Sequence, residues 1–436
     1  MFKWTKYWLV YRLKHLMVLT FILLSFCASY LHGQEKSSYY VDGSYIYDIR
    51  GKKVILRGVN KMTTWTDRAG AAFPEIEKTG ANCVRIVMTK KDKPFDLDKW
   101  LTQCVDNKMI PIPENHDATG ELGGVQAIVD WWCQPGMVDI IKKHERHLLI
   151  NIANEAGKWG QQSQVKSTYA KAIVQMRDSS IHTPLIIDGS PWGQGADVLL
   201  DNYDYWNNLD PDHNIIVSLH FYDGWTDTVK IINTLQQFSD KHIPLIIGEF
   251  SEYCKDGKCV PWKKIITECQ KLEIGWIWWS WGPENQHQDM SMTDYPKPGL
   301  YTNLKGSGKI VAVDHPCSIK NTSVRPASIL ADASGTTPIN KPLSKNGCSP
   351  EQISVYPNPF NSTCQIVFQK SNSEIIDITI YDLNGRVIKS YNNCQRQGVI
   401  NWDGTNNGNK PVAAGVYYVK YQKGTKSIFK KISHIK

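Results

Sequence analysis

The sequence predicts an α/β fold, an eight-stranded parallel (β/α)8 TIM barrel, followed by a linker and a small all-β sandwich. Three observations carry that prediction. Short apolar runs alternate with helix-like stretches between residues 54 and 281, the rhythm of a parallel sheet with right-handed crossovers. The runs number eight, which is the number that closes a barrel. Past residue 350 the helical stretches stop and strict apolar/polar alternation takes over, as in strands with one buried face.

Taken in order, residues 1–34 read as a secretory signal peptide. Lys3, Lys6, Arg12 and Lys14 precede the apolar run Leu16–Ser29, and small and polar residues follow at His32–Gln34, the order of a cleaved export signal. The apolar run is short for a membrane span. Residues 35–315 hold the barrel. Its first part, Tyr39–Leu56, alternates about Arg50-Gly51-Lys52 and predicts a hairpin over the barrel's bottom or entrance. Strands are predicted at Val54–Asn60, Asn82–Thr89, Met109–Asp117, His147–Glu155, Pro184–Ser190, Asn214–Tyr222, Ile243–Ser251 and Gly275–Trp281. Helix-like stretches between them include Ala71–Gly80, Leu97–Asn107, Gln126–His144, Gln164–Arg177, Thr228–Lys241 and Trp262–Lys271. The strands are almost wholly apolar, as both-face burial requires. Residues 316–350, rich in Ser, Thr, Pro, Ala and Asn, read as a linker. Residues 351–436 hold five short alternating strands of a β-sandwich of immunoglobulin size.

Charge and cysteines narrow the function. The chain carries 50 Lys or Arg against 42 Asp or Glu, a formal +8. Four of those cations lie in the signal segment, and residues 351–436 hold 11 Lys or Arg against 5 Asp or Glu. Those two regions exceed the whole excess, so the barrel is slightly acidic and nucleic acid is excluded as its partner. Sixteen tryptophans offer flat apolar faces that stack on sugars. Eleven cysteines on an exported chain permit disulfides. Cys254 and Cys259, in C-K-D-G-K-C, flank a turn and are the preferred pair, with Cys317 and Cys348 second. Cys83 lies inside an apolar strand and reads as a buried thiol. No spacing resembles a zinc site.

Barrel chemistry belongs at the C-terminal ends of the strands, and the polar residues fall there in phase. Asn60, Arg85, His116, Asp117, Asn154, Glu155, His220, Tyr222, Glu249, Trp279 and Trp281 cluster toward those ends of the predicted strands. Glu155, in N-I-A-N-E-A-G, and Glu249, in I-I-G-E-F-S, matter most. Two carboxylates at one end of a sheet are the minimum equipment for splitting a glycosidic bond. One gives a proton to the leaving oxygen and the other attacks the anomeric carbon. Trp65, Trp159, Trp192 and Trp225 lie in loops after strands and are candidates to line a sugar groove. Glu114 and Asp117 read as supports and Glu252 as solvated.

The segments G-V-N, V-R-I, E-N-H-D-A-T-G, N-I-A-N-E, S-L-H-F-Y, I-I-G-E-F and W-I-W-W-S-W, in that order, resemble glycoside hydrolase family 5 over about residues 37–305. The likeness is strongest to its bacterial β-mannanase branch. It implies a retaining enzyme with its acid/base at the end of the fourth strand, Glu155, and its nucleophile at the end of the seventh, Glu249. It also implies a monomer with no cofactor and no metal, acting on a plant-type β-1,4-linked polysaccharide as an endo-β-1,4-mannanase. An endo-β-1,4-glucanase on the same scaffold is the alternative, and a non-catalytic surface carbohydrate-binding protein the more distant one. On this reading Arg85 supplies the charge that depresses the Glu249 pKa, and Tyr222 donates to the same carboxylate. Asn154 holds the sugar 2-hydroxyl, while His116 and His220 bond hydroxyls or orient Glu155. Trp279 walls the cleavage site, and Trp281, two residues on, shares its face.

The sequence departs from that branch at Ala156-Gly157, at Lys61-Met62-Thr63-Thr64 before Trp65, and in the short loop Asp223–Asp227. These positions fall on walls beyond the cleavage point, so they bear on the substrate and not on the chemistry. In the tail, V-Y-P-N-P-F, Y-D-L-N-G-R-V-I, W-D-G-T and A-G-V-Y-Y-V resemble the C-terminal sorting domain of the type IX secretion system. That resemblance implies passage across the outer membrane through its secretion machinery, to the medium or the cell surface.

Overall fold

The computed structural model describes residues 35–283, 290–333 and, apart from short stretches, 353–435. The signal segment, Cys348 and residues 334–350 of the expected linker lie outside the described residues. The chain divides into two compact units, one before and one after residue 338.

Eight parallel strands close the barrel of the first unit: β1 (Arg57–Lys61), β2 (Cys83–Met88), β3 (Ile110–Asn115), β4 (Ile150–Asn151), β5 (Leu185–Asp188), β6 (Ile215–Phe221), β7 (Leu245–Phe250) and β8 (Gly275–Trp281). Each pairs with its successor, and β8 returns to β1. Nearly every strand residue is buried, because helices cover the outside and side chains fill the inside. The lower interior is packed with Ile112, Ile186, Ile216, Ile246 and Ile277. Three short antiparallel strands, Tyr40–Asp42, Tyr45–Tyr47 and Lys53–Val54, seal that end by adding Tyr39, Ile46 and Val54 to the same cluster. The hairpin thus lies over the bottom and leaves the opposite mouth open.

Two helical expectations change. The stretch Gln126–His144 is two helices, Val125–Trp132 and Pro135–His144. Gln134 between them is extended, as the residue before a proline prefers. A helix not foreseen, Ala196–Leu209, fills the gap between β5 and β6 and buries Leu199, Tyr203 and Trp206 at helical spacing. Among the described residues no helix is long and apolar enough to cross a membrane.

The expected linker begins too early. Short helices at Ile319–Thr322 and Ala327–Ala333 bury Ile319 and Ile329 against the barrel. Asn82 Nδ2 donates to Val324 O at 2.9 Å, and Arg325 donates to Glu77 Oε1 at 2.7 Å and to Ala81 O at 3.1 Å. Asp332 bonds Arg146 and His147. Composition could not reveal this, because anchoring comes from a few directed hydrogen bonds instead of a large apolar face.

The second unit is an antiparallel sandwich. A sheet of Ile353–Tyr356, Cys364–Phe368 and Val399–Trp402 faces one of Val387–Tyr391, Ile376–Tyr381, Gly415–Lys423 and Lys426–His434 across a core containing Trp402, Ile366, Ile378, Tyr417 and Tyr421. Tyr418, between the two buried tyrosines, is exposed, as strand alternation requires. Cys254 and Cys259 are disulfide-bonded, and Cys83 and Cys317 are free thiols, the first buried.

Arg325→Ala should lower the unfolding free energy by about 1–2 kcal/mol in a denaturant titration. A loss below about 0.5 kcal/mol would mean that the Arg325 bonds do not anchor this segment.

Candidate active site

Arg85 stands inside the open end of the barrel, on β2. Its planar fork of five N–H donors is fully buried and spans the ring of strands. Nε donates to Asn151 Oδ1 (2.9 Å), Nη1 to Asn60 Oδ1 (3.0 Å) and Glu249 Oε1 (2.7 Å), and Nη2 to Asn154 Oδ1 (2.7 Å). Glu114 and Asp188 lie 3.6 Å from the guanidinium. Surrounded by carboxylates and amides, the buried cation has the partners that make its burial tolerable.

Glu249 closes β7, its carboxylate held at one oxygen by Arg85 and at the other by the Tyr222 hydroxyl, 3.0 Å away. Glu155 follows β4 with φ of +45°, a left-handed conformation uncommon for a residue with a side chain. Its backbone N–H donates to Asp188 Oδ2 at 3.0 Å, which secures that conformation. Its Oε1 meets His220 Nδ1 at 2.8 Å. One carboxylate oxygen from each glutamate and a ring nitrogen of His220 lie within 4.8 Å of one another. Such a trio has the spacing to hold a small cation, yet Arg85 already brings a permanent positive charge to it. Gly193, at φ +69°, lets the chain pass close to His220, since a Cβ there would lie 2.6 Å from the ring.

The local charges set the protonation states. Burial opposes charge on His220, but Glu249, Asp188 and its bond to Glu155 outweigh this and raise its pKa to about 9. His116 behaves likewise: burial lowers its pKa, and Glu114, hydrogen-bonded to Nδ1 at 2.8 Å, carries it above the usual value. For Glu249 the balance runs against expectation. Burial pushes the carboxyl up, His220 and Arg85 pull it down, and the net direction is upward. Arg85 therefore limits a rise instead of producing a depression, because desolvation of this position is the larger effect.

The glutamates open onto a cleft of about 940 Å3. His116, Asn154, Tyr222 and Trp279 line it, as do Trp65, Trp159 and Trp192, which are 53%, 77% and 40% exposed. Asn154 Nδ2 donates to Thr119 Oγ1 at 2.9 Å and faces His116. The His116 ring packs against Trp65 and Trp279.

Two tryptophans are not where the sequence suggests. Trp225 is buried against Phe221, with ring centroids 4.4 Å apart, because its N–H turns back to Tyr222 O and folds the loop inward. Trp281 is buried and donates from Nε1 to Gly299 O at 3.2 Å. Pairing of β8 with β1 shifts between Trp278 and Trp281, so the two-residue alternation that would align Trp281 with Trp279 fails there. Asp117 holds the Lys90 N–H and is exposed, outside the cleft lining.

Sequence reasoning missed Asp188, Asn151, Gln194 and Tyr253. Asp188 had a signal: it ends the apolar run L-I-I-D of β5 just as Glu249 ends that of β7. Gln194 and Tyr253 sit in loops and join the cleft only through the fold.

His220 provides a pH test. Its raised pKa contributes stability that is fully present below about 6.5 and is lost as pH rises through about 9. Wild-type stability should therefore fall across that window by on the order of 2–3 kcal/mol more than that of His220→Gln. Parallel profiles in denaturant titrations at each pH would show that folding does not raise the imidazole pKa.

Residues 47–285 match the family model of cellulase, glycosyl hydrolase family 5. Residues 354–436 match that of the secretion system C-terminal sorting domain. The chain is 29% identical over 314 residues to a mannan endo-1,4-beta-mannosidase of Salipaludibacillus agaradhaerens, covering 69% of this chain and 99% of that protein. It is 27% identical over 334 residues to a mannan endo-1,4-beta-mannosidase of Cellvibrio japonicus, covering 72% and 76%. Among solved structures, the β-mannanase from Thermomonospora fusca superposes with a TM-score of 0.63 at 26% identity, over 67% of this chain and all of that one. The chain belongs to glycosyl hydrolase family 5, as a glycoside hydrolase of the mannanase and cellulase type that carries a C-terminal secretion-system sorting domain.

Proposed function

We propose that this enzyme is a secreted, monomeric, retaining endo-β-1,4-mannanase that works without a cofactor, with Glu155 as acid/base and Glu249 as nucleophile. The observation that carries the reading is the approach of the two carboxylates to within 4.8 Å. Retaining enzymes hold these groups about 5–5.5 Å apart, whereas inverting ones leave about 6.5–9.5 Å for a water.

Chemistry proceeds in two displacements. Glu155, with one oxygen engaged by His220, gives its proton from the other to the departing glycosidic oxygen. Glu249 attacks the anomeric carbon and forms a glycosyl ester, its carboxylate aimed by Arg85 and Tyr222. Water then enters, Glu155 takes its proton, and the ester opens with net retention. Asn154, oriented by Arg85 and Thr119, lines the cleft beside Glu155, where it meets the ring hydroxyls. Trp279 and the loop tryptophans present apolar faces to the sugar units.

Mannan is preferred because relatives spanning most of this chain are named for it. The second reading, an endo-β-1,4-glucanase, draws on the cellulase name of the family. Export is supported by the signal-like residues 1–34 together with the sorting domain.

Glu155→Gln and Glu249→Gln should each lower kcat by about 10²–10⁴-fold or more, with folding and sugar binding kept. Undiminished hydrolysis in either variant would remove that residue from its role. In the wild type, NMR should detect the β-anomer first, and initial release of the α-anomer would overturn retention. Across mannan, glucomannan, carboxymethyl cellulose and xyloglucan, activity on cellulose alone would select the glucanase.

A further inference from the structure

Two loops that this chemistry leaves idle meet at one edge of the cleft. The first follows β6 and carries Asp223 and Thr226; the second follows β7 and forms the hairpin Cys254–Cys259, closed by its disulfide. Between them lies a side pocket of about 250 Å3, lined by Asp223, Thr226, Tyr253, Lys255, Asp256 and Lys258. Asp223 and Tyr253 also line the main cleft, so the two cavities share a wall. Asp223 accepts a hydrogen bond from the Tyr253 hydroxyl and another from Lys255 Nζ at 3.1 Å. The Tyr253 ring meets Tyr222 edge-on at 5.8 Å, and Tyr222 holds Glu249. Two aromatic rings, Tyr253 and Tyr222, therefore separate the pocket from the reacting carboxylate.

Stability does not account for this construction. The Lys255–Asp223 pair is about half exposed at both side chains, and such pairs contribute little. A disulfide closing so short a loop orders the hairpin more than the fold. What both features achieve is a carboxylate, a phenol and an ammonium held in place beside the cleft. A carboxylate accepts from sugar hydroxyls, an ammonium donates to them, and a tyrosine ring covers an apolar face. Two lysines balance two aspartates here, so the surroundings suit a neutral sugar and not an acidic one.

We propose that this side pocket is an additional saccharide subsite for one neutral hexose unit of the polysaccharide, with the disulfide-closed hairpin positioning Tyr253 and Lys255. The proposal rests on the mannanase reading above. The hexose is either a further unit of the backbone or a single-sugar branch upon it, and the chemistry of recognition is the same.

The test compares wild type with Lys255→Ala/Lys258→Ala and, separately, Cys254→Ser/Cys259→Ser. Each is assayed on linear mannotetraose, linear mannohexaose and mannohexaose bearing one galactosyl branch. Both variants should lower the ratio of kcat/KM for the preferred longer or branched substrate over the tetraose by about five- to tenfold, chiefly through KM. A drop seen with the linear hexaose assigns the pocket to the backbone, and one confined to the branched substrate assigns it to the branch. Unchanged ratios in variants of wild-type thermal stability overturn the subsite. A wild type that cleaves only cello-oligosaccharides overturns mannan specificity instead, and the same ratio measured on cellotetraose and cellohexaose then decides the subsite.

Discussion

The buried guanidinium of Arg85 is the interaction on which the site depends. A cation with no access to water needs acceptors on every side, and here they come from β1, β4, β7 and the residues just beyond β4. Asn60, Asn151, Asn154 and Glu249 are thereby held in one plane of bonds across the barrel mouth. None of β1, β2, β4 and β7 can slide without breaking one of these bonds. The rigid scaffold and the charged hub stabilise each other.

The same economy of charge governs the two glutamates. Glu249 is buried deeply enough that desolvation dominates, and Arg85, His220 and Tyr222 together make its ionised form tenable. Glu155 lies closer to solvent and is placed differently, through a left-handed backbone fastened by Asp188. Asp188 also lies 3.6 Å from both Arg85 and His220. One buried carboxylate outside the cleft lining therefore links the backbone of Glu155 to the cation and the imidazole beside both glutamates. Two groups of the same chemical type acquire different environments within 5 Å, which acid and nucleophilic roles require.

The outer walls of the cleft are built elsewhere, by the loops. Trp65, Trp159 and Trp192 stand exposed on segments after β1, β4 and β5, and Asp223 and Tyr253 come from segments after β6 and β7. Loops can vary without disturbing the strands beneath them. Of the positions at which the sequence departs from the resembled mannanase branch, Met62, Asp223 and Gly224 border the cleft, whereas Lys61, Thr63 and Ala156 are buried. The strands fix the charged centre, and the loops shape the cleft above it.

What the sequence by itself determined was periodic and local: eight apolar runs, their order, and the phase that leaves Arg85, Glu155, Tyr222 and Glu249 at strand ends. Such signals survive without coordinates because burial on both faces dictates composition residue by residue. The tertiary structure alone decided three other things. It broke the alternation at Trp281 and folded Trp225 inward, since a register shift and a tight turn override spacing. It drew residues 319–333 onto the barrel through directed bonds that composition does not record. It set the balance of charge at Glu249, because desolvation and ion pairing depend on distances between residues far apart in the chain, and no reading along one dimension contains those distances.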